Sequence, residues 1–153
     1  MNLNDCAPGF FCDGDSSTCR HYCCGGSSSD CPAGSGQFCI SRAGSDIGAC
    51  TAPSTCTIVP NEGCAAGQGC YIAGADGTLS CFAAGTVADG AACEFLNDCT
   101  AGAACLTPMG GAATCTRFCR IAMGMADCGG ARTCNPIRLT GLPMDLGTCS
   151  APM

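Results

Sequence analysis

This chain of 153 residues has no lysine, a single histidine and no two cysteines spaced as Cys-x-Cys or Cys-x-x-Cys. Each absence removes a class of function. All six basic residues are arginine (Arg20, Arg42, Arg117, Arg120, Arg132, Arg138), the net charge is −6 and the pI is about 4.3. No basic face is therefore expected for nucleic acid. His21 stands alone and cannot build a multi-histidine metal site. The missing short cysteine spacings remove the signatures of zinc ribbons, iron–sulfur sites and thioredoxin-type redox pairs, so neither metal nor cofactor is expected. No apolar run approaches the roughly 18–20 residues of a membrane span. Leu, Ile, Val and Phe together number 21, too few at this length for a conventional core. Gly-x-Ser-x-Gly, His-Glu-x-x-His and Walker-type runs are missing too. With no acid–base or nucleophile constellation in view, the chain is not expected to be an enzyme.

What the chain has is 20 cysteines. That density marks a disulfide scaffold, and the even number lets every cysteine pair. Covalent links then replace the missing apolar core. Each bond closing a loop of about 15 residues stabilises by about 3 kcal/mol in the chain-entropy model. Such bonds persist only in an oxidising compartment, so the protein is expected to be secreted, working extracellularly or at the cell surface. The segment Met1 to Cys6 holds no apolar signal-peptide core; a leader is expected to have been removed or to precede this numbering.

Aligned on its cysteines, the chain shows a unit of three: Cys6-Cys12-Cys19, Cys31-Cys39-Cys50, Cys64-Cys70-Cys81, Cys99-Cys105-Cys115 and Cys128-Cys134-Cys149. Four units place a glycine three residues after the first cysteine (Gly9, Gly34, Gly67, Gly102), which predicts a tight turn with positive φ. The fifth has Gly129 and Gly130 instead. The stretch between second and third cysteines reads as a β-hairpin, clearest around Asp76-Gly77. Only Met123 to Cys128 holds a possible helical turn. The expected fold is a small disulfide-rich one: a linear array of about five short β-hairpins with little regular secondary structure and no large core.

Sequence does not fix connectivity. The economical pairing is first-to-third and second-to-fourth: Cys6–Cys19 with Cys12–Cys23, Cys31–Cys50 with Cys39–Cys56, Cys64–Cys81 with Cys70–Cys93, Cys99–Cys115 with Cys105–Cys119, and Cys128–Cys149. Cys24 and Cys134 remain and are expected to pair, within one chain or between two.

A larger duplication also shows. Asn4 to Cys12 matches Asn97 to Cys105, Cys19 to Cys23 matches Cys115 to Cys119, and Gly48 to Pro53 matches Gly147 to Pro152. Residues 1–53 and 94–153 are expected to be repeat halves, with 54–93 a linking unit. Neighbour-to-neighbour packing is the expected architecture.

The run Asp-Cys-x-x-Gly-x-x-Cys, a short hairpin and then Cys-x3-Cys resembles the N-terminal cysteine-rich region of Dickkopf proteins. It is more similar to the cysteine-rich secreted and lipoprotein sequences of myxobacteria-like bacteria. Those carry the Gly-Cys-x5-Cys-Tyr stretch found at Gly63 to Tyr71, followed by Gly-Ala-x-Cys, an Asn-Asp-Cys unit and Cys-x3-Cys-Arg. The resemblance covers residues 56–149 in full and 5–53 in part. It implies a bacterial, secreted repeat protein and brings no activity with it.

Several clusters compete as sites. Cys19 to Cys24 surrounds His21 with sulfur, but the aligned copy, Cys115 to Cys119, has no titratable base there, so a stacked histidine among disulfides is the simpler reading. Asp13-Gly14-Asp15 suggests calcium, yet the EF-hand glycine and glutamate positions hold Thr18 and Cys24. Ser27 to Asp30 reads as a loop. Arg117 and Arg120 could dock a carboxylate; solvation or a pair with Asp127 explains them as well. Phe10, Phe11, Phe118, Ile121, Met123, Met125, Ile137, Leu139, Leu142, Met144 and Leu146 gather near the two ends. A thin disulfide-rich strip cannot bury them all, so they are expected to form an interface, the alternative being small clusters under the longer loops. A structural protein that self-assembles into an extracellular filament or surface layer is the first functional expectation. A binding module that presents hairpin tips to another extracellular protein, such as an adhesin, inhibitor or accessory subunit, is the second.

Overall fold

The structure is a computed structural model that describes residues 6–13, 18–25, 27–41, 46–74, 76–107, 111–130, 132–138 and 140–150. Ten strands pair into five antiparallel hairpins: β1 (Phe10–Asp13) with β2 (Thr18–Cys24), β3 (Phe38–Ser41) with β4 (Ile47–Thr51), β5 (Gln68–Ile72) with β6 (Leu79–Ala83), β7 (Ala103–Leu106) with β8 (Thr114–Arg120), and β9 (Thr133–Pro136) with β10 (Leu146–Ser150). Helix among the described residues is confined to two 3-10 turns, Ser28–Asp30 and Ile121–Met123, and one α-turn, α1 (Met125–Cys128). This is the small disulfide-rich β fold that the cysteine density predicts.

Each hairpin forms for a local reason. The glycine after the first cysteine takes positive φ in the four units that carry it: 87° at Gly9, 73° at Gly34, 79° at Gly67 and 84° at Gly102. A side chain there would be strained. The turn it makes aims the chain so that the second and third cysteines fall directly opposite one another. The register shows this in every hairpin: Cys12 with Cys19, Cys39 with Cys50, Cys70 with Cys81, Cys105 with Cys115 and Cys134 with Cys149.

The chain divides into two compact units, Met1–Pro53 and Ser54–Met153. In the first, the strand order is β1-β2-β4-β3; in the second, a sheet of order β7-β8-β10-β9 accompanies the two-stranded β5-β6. The two four-stranded sheets share topology and register. Tyr22 faces Ala49 as Phe118 faces Thr148; Cys23 faces Gly48 as Cys119 faces Gly147; Cys24 faces Ile47 as Arg120 faces Leu146. The glycine opposite the half-cystine is a packing requirement, since a Cβ on Gly147 would lie 2.8 Å from the Cys134 sulfur.

The edges of β5-β6 are occupied by side chains that mimic a strand. Asn61 Oδ1 accepts the Cys70 amide at 3.1 Å and its Nδ2 donates to the Cys70 carbonyl at 3.3 Å. Ser54 donates its amide to Leu79 and its Oγ accepts the Cys81 amide. Open ladder groups invite further strands, and these residues satisfy them.

Four small clusters make the interior. The largest joins Cys56, Ile58, Cys70, Tyr71, Ala104, Phe118 and Leu146 in the second unit; the other three consist of half-cystines apart from Ala103. Tyr71 is fully buried and its hydroxyl donates to the Cys99 carbonyl at 3.1 Å, tying the β5-β6 hairpin to the sheet beyond it. Burial also pushes the Tyr71 hydroxyl's pKa above its ordinary value.

Phe118 and Leu146, expected at an interface, are therefore core residues, 3% and 4% exposed. Their burial follows from the β5-β6 hairpin lying over them. Phe118→Ala is expected to destabilise the second unit by about 3–5 kcal/mol, whereas Tyr22→Ala at the matching but exposed position should change stability by less than about 0.5 kcal/mol. Denaturant unfolding under non-reducing conditions measures both.

Candidate interaction surfaces

Nine disulfides form. All five first-to-third bonds are those read from the repeat: Cys6–Cys19, Cys31–Cys50, Cys64–Cys81, Cys99–Cys115 and Cys128–Cys149. The second-to-fourth bonds are corrected. Four of the five second cysteines bond the half-cystine before their repeat instead: Cys23–Cys39, Cys56–Cys70, Cys93–Cys105 and Cys119–Cys134. Geometry explains the difference. Cys12 lies opposite Cys19, and Cys23 is four residues further along β2, about 13 Å away at 3.3 Å per residue. Disulfides need Cα atoms within roughly 4.4–6.8 Å. The same argument separates Cys105 from Cys119. Cys12 and Cys24, expected to be bonded, are free thiols, and Cys134 is taken by Cys119.

Stacked disulfides imitate metal sites. Sulfurs of Cys23, Cys31 and Cys50 lie within 4.8 Å of one another, as do those of Cys56, Cys64 and Cys81, of Cys93, Cys99 and Cys115, and of Cys119, Cys128 and Cys134. Every one of these sulfurs is in a disulfide, and only a thiolate ligates a metal well.

The polar clusters resolve into braces. His21 packs edge-on against Phe10 at 4.8 Å, and its Nδ1 donates to the Tyr22 carbonyl at 2.7 Å. Ser27 caps the first 3-10 turn, and Asp30 Oδ2 accepts the Cys24 amide at 2.8 Å. Asp127 does the same for the Arg120 amide at 2.9 Å, and also takes the Arg120 guanidinium in two bonds of 2.9 and 3.0 Å. Asp98 accepts the amides of Glu94 and Phe95. An aspartate directly before the first cysteine of a unit thus pins the residue that follows the preceding half-cystine. Arg117 and Arg132 converge on Asp89, which also accepts the Arg117 amide at 3.2 Å. Hydrogen bonds from the Arg120 side chain and amide hold the Asp127 carboxyl below the usual range. At Asp89 desolvation pushes upward, but the Arg132 hydrogen bond and charge, with Arg117, bring it below. The Gly14 to Ser17 part of the calcium-like tip lies outside the described residues.

The remaining expected interface residues divide. Ile121, Met123, Met125 and Met144 are exposed, Met144 by 94%. Ile137 and Leu142 are partly buried against the main cluster, and Leu139 lies outside the described residues. An open groove runs between Ile121, Pro136, Ile137, Arg138, Leu142 and Met144. In the first unit Phe10 is exposed, while Phe11 is half-buried and stacks on Tyr22 at 4.9 Å. Tyr22 and Ile47, 43% and 59% exposed, belong to the same face. The sequence signal that marks them is their alignment with Phe118 and Leu146.

No helix among the described residues is long and apolar enough to cross a membrane. Comparison with protein-family models, curated proteins and solved structures finds no match to this chain.

Denatured without reductant, the chain should release two titratable thiols, and alkylation followed by peptide mapping should place them at Cys12 and Cys24. The lowered carboxyls of Asp89 and Asp127 stabilise the fold above the unfolded aspartate pKa of about 3.9. That contribution is lost as pH falls through the lower folded values. Asp127→Asn should remove its part of this acid limb and speed exchange of the Arg120 amide at neutral pH, as hydrogen exchange would record.

Proposed function

We propose that this chain is an extracellular structural protein, and not an enzyme, in which disulfide-braced hairpins carry exposed apolar faces through which copies assemble into a filament or surface layer. The nine disulfides support the compartment. The observation that carries assembly is the exposure of Met144, 94%, in the open groove it lines with Ile121, Ile137 and Leu142, together with that of Met125, 61%. Contiguous apolar surface of this kind marks interfaces, and methionine adapts to irregular partners. Two unlike faces meeting head to tail generate an open polymer.

A second reading, a binding module for another extracellular protein, is favoured by the face of Phe11, Tyr22 and Ile47 in the first unit, whose counterpart in the second unit is covered.

Light scattering and electron microscopy of the oxidised protein test the first reading. Large particles are expected, and Met125→Ser with Met144→Ser should return them to the 15.1 kDa monomer with all nine disulfides intact. A wild-type chain that stays monomeric at high concentration sinks self-assembly.

A further inference from the structure

Four repeats bring to their second cysteine a half-cystine from the chain before them, at Cys39, Cys70, Cys105 and Cys134. In the first repeat that position is Cys12, held opposite Cys19 as Cys105 is held opposite Cys115, and its thiol is free. Cys24 cannot reach it. It lies five residues beyond Cys19 on β2, about 17 Å along the strand, and an odd step turns it to the opposite face.

The second unit shows what fills the equivalent places. Residues 54–93 do three things there. Their hairpin covers Ala104, Phe118 and Leu146 with Tyr71 and Ile58. Their final stretch straps the start of β8: the Cys115 amide donates to Ala91 at 2.9 Å, Gly90 donates to the Cys115 carbonyl at 2.7 Å, and Asp89 holds Arg117 and Arg132. Their last residue, Cys93, bonds Cys105.

The same three places are open in the first unit. Phe11, Tyr22 and Ile47 stand where Ala104, Phe118 and Leu146 are covered, with Tyr22 and Ile47 exposed. Thr18, Cys19, His21 and Gln37, at the positions of Thr114, Cys115, Arg117 and Arg132, line an open groove. Cys12 carries the unused thiol. An apolar face, a groove and an unbonded sulfur therefore coincide with the three footprints of one structural element.

We propose that the first unit is the receptor for a cysteine-bearing hairpin built like residues 54–93 and carried by a partner polypeptide. The hairpin docks on Phe11 and Tyr22, its tail lies in the groove beside Cys19 and His21, and its terminal cysteine closes a disulfide to Cys12. A second copy of this chain is a poor donor, because its own Tyr71 is buried and its Cys93 is bonded. The bond forms by exchange. The Cys12 thiolate attacks the partner's cysteine sulfur in a mixed disulfide with glutathione, the new sulfur–sulfur bond forms, and glutathione leaves as the thiolate and takes up a proton. No net oxidation is required.

The full chain serves as receptor. The probe is a synthetic peptide of residues 54–93 with Cys56–Cys70 and Cys64–Cys81 closed and Cys93 blocked by glutathione. After incubation in a glutathione buffer, non-reducing peptide mapping should find the Cys12–Cys93 link in excess of Cys24–Cys93 by about tenfold or more, because the tail beside Cys19 delivers its cysteine to Cys12 and leaves it about 17 Å along the strand from Cys24. Tyr22→Ser and, separately, Ile47→Ser should erase that excess while leaving Cys24 capture unchanged. Equal capture at the two thiols, indifference to both substitutions, or Cys12 consumed in a link between two copies of the chain would each overturn the proposal. A monomeric chain in light scattering refutes the polymer reading and leaves this one standing.

Discussion

The fold depends on one constraint: in every hairpin the second and third cysteines sit face to face yet do not bond each other. Cys70 opposes Cys81, but Cys70 is held by Cys56 and Cys81 by Cys64. Four of the hairpins are thereby fastened twice to the chain that precedes them, and the first, whose Cys12 is free, once through Cys6–Cys19. Loops of 12 to 21 residues are closed this way, each restricting the unfolded ensemble by about 3 kcal/mol in the entropic account. This covalent frame stabilises sheets whose apolar clusters are too small to do so alone.

A frame that does not need its apolar residues for a core can spend them differently in different copies. The two four-stranded sheets share order and register, yet one buries Phe118 and Leu146 while the other exposes Tyr22 and Ile47. Backbone and sulfur positions are repeated; the use of the opposite face is not. The covered sheet gains a packed interior around Tyr71, and the uncovered one keeps a surface available for association.

Charge plays a local part. Asp30, Asp98 and Asp127 each precede the first cysteine of a unit and each accepts the amide that follows the preceding half-cystine. The acceptor orients the chain as it enters the next hairpin and leaves the two sulfurs in reach of their partners. Of these three Asp127 is also ion-paired, with Arg120, while Arg132 pairs with Asp89 in the stretch that straps β8.

Sequence alone determines what is local. The cysteine density sets a cross-linked β fold; the glycine after each first cysteine sets the turn; the loop between first and third cysteines sets the five bonds that close within a unit. The shared strand order of the two four-stranded sheets is likewise legible, because aligned residues such as Tyr22 and Phe118 keep one register. Only tertiary structure decides what crosses from one hairpin to the next. β2 and β8, seven residues each, serve two hairpins at once, so Cys23 and Cys119 are carried about 13 Å from the hairpins they end and onto the next. The pairing at Cys39 and Cys134, the thiols left at Cys12 and Cys24, and the burial of Phe118 against exposure of Tyr22 all follow from which segment lies over which face. No spacing records that, since one-dimensional intervals are the same whether the covering hairpin is present or not.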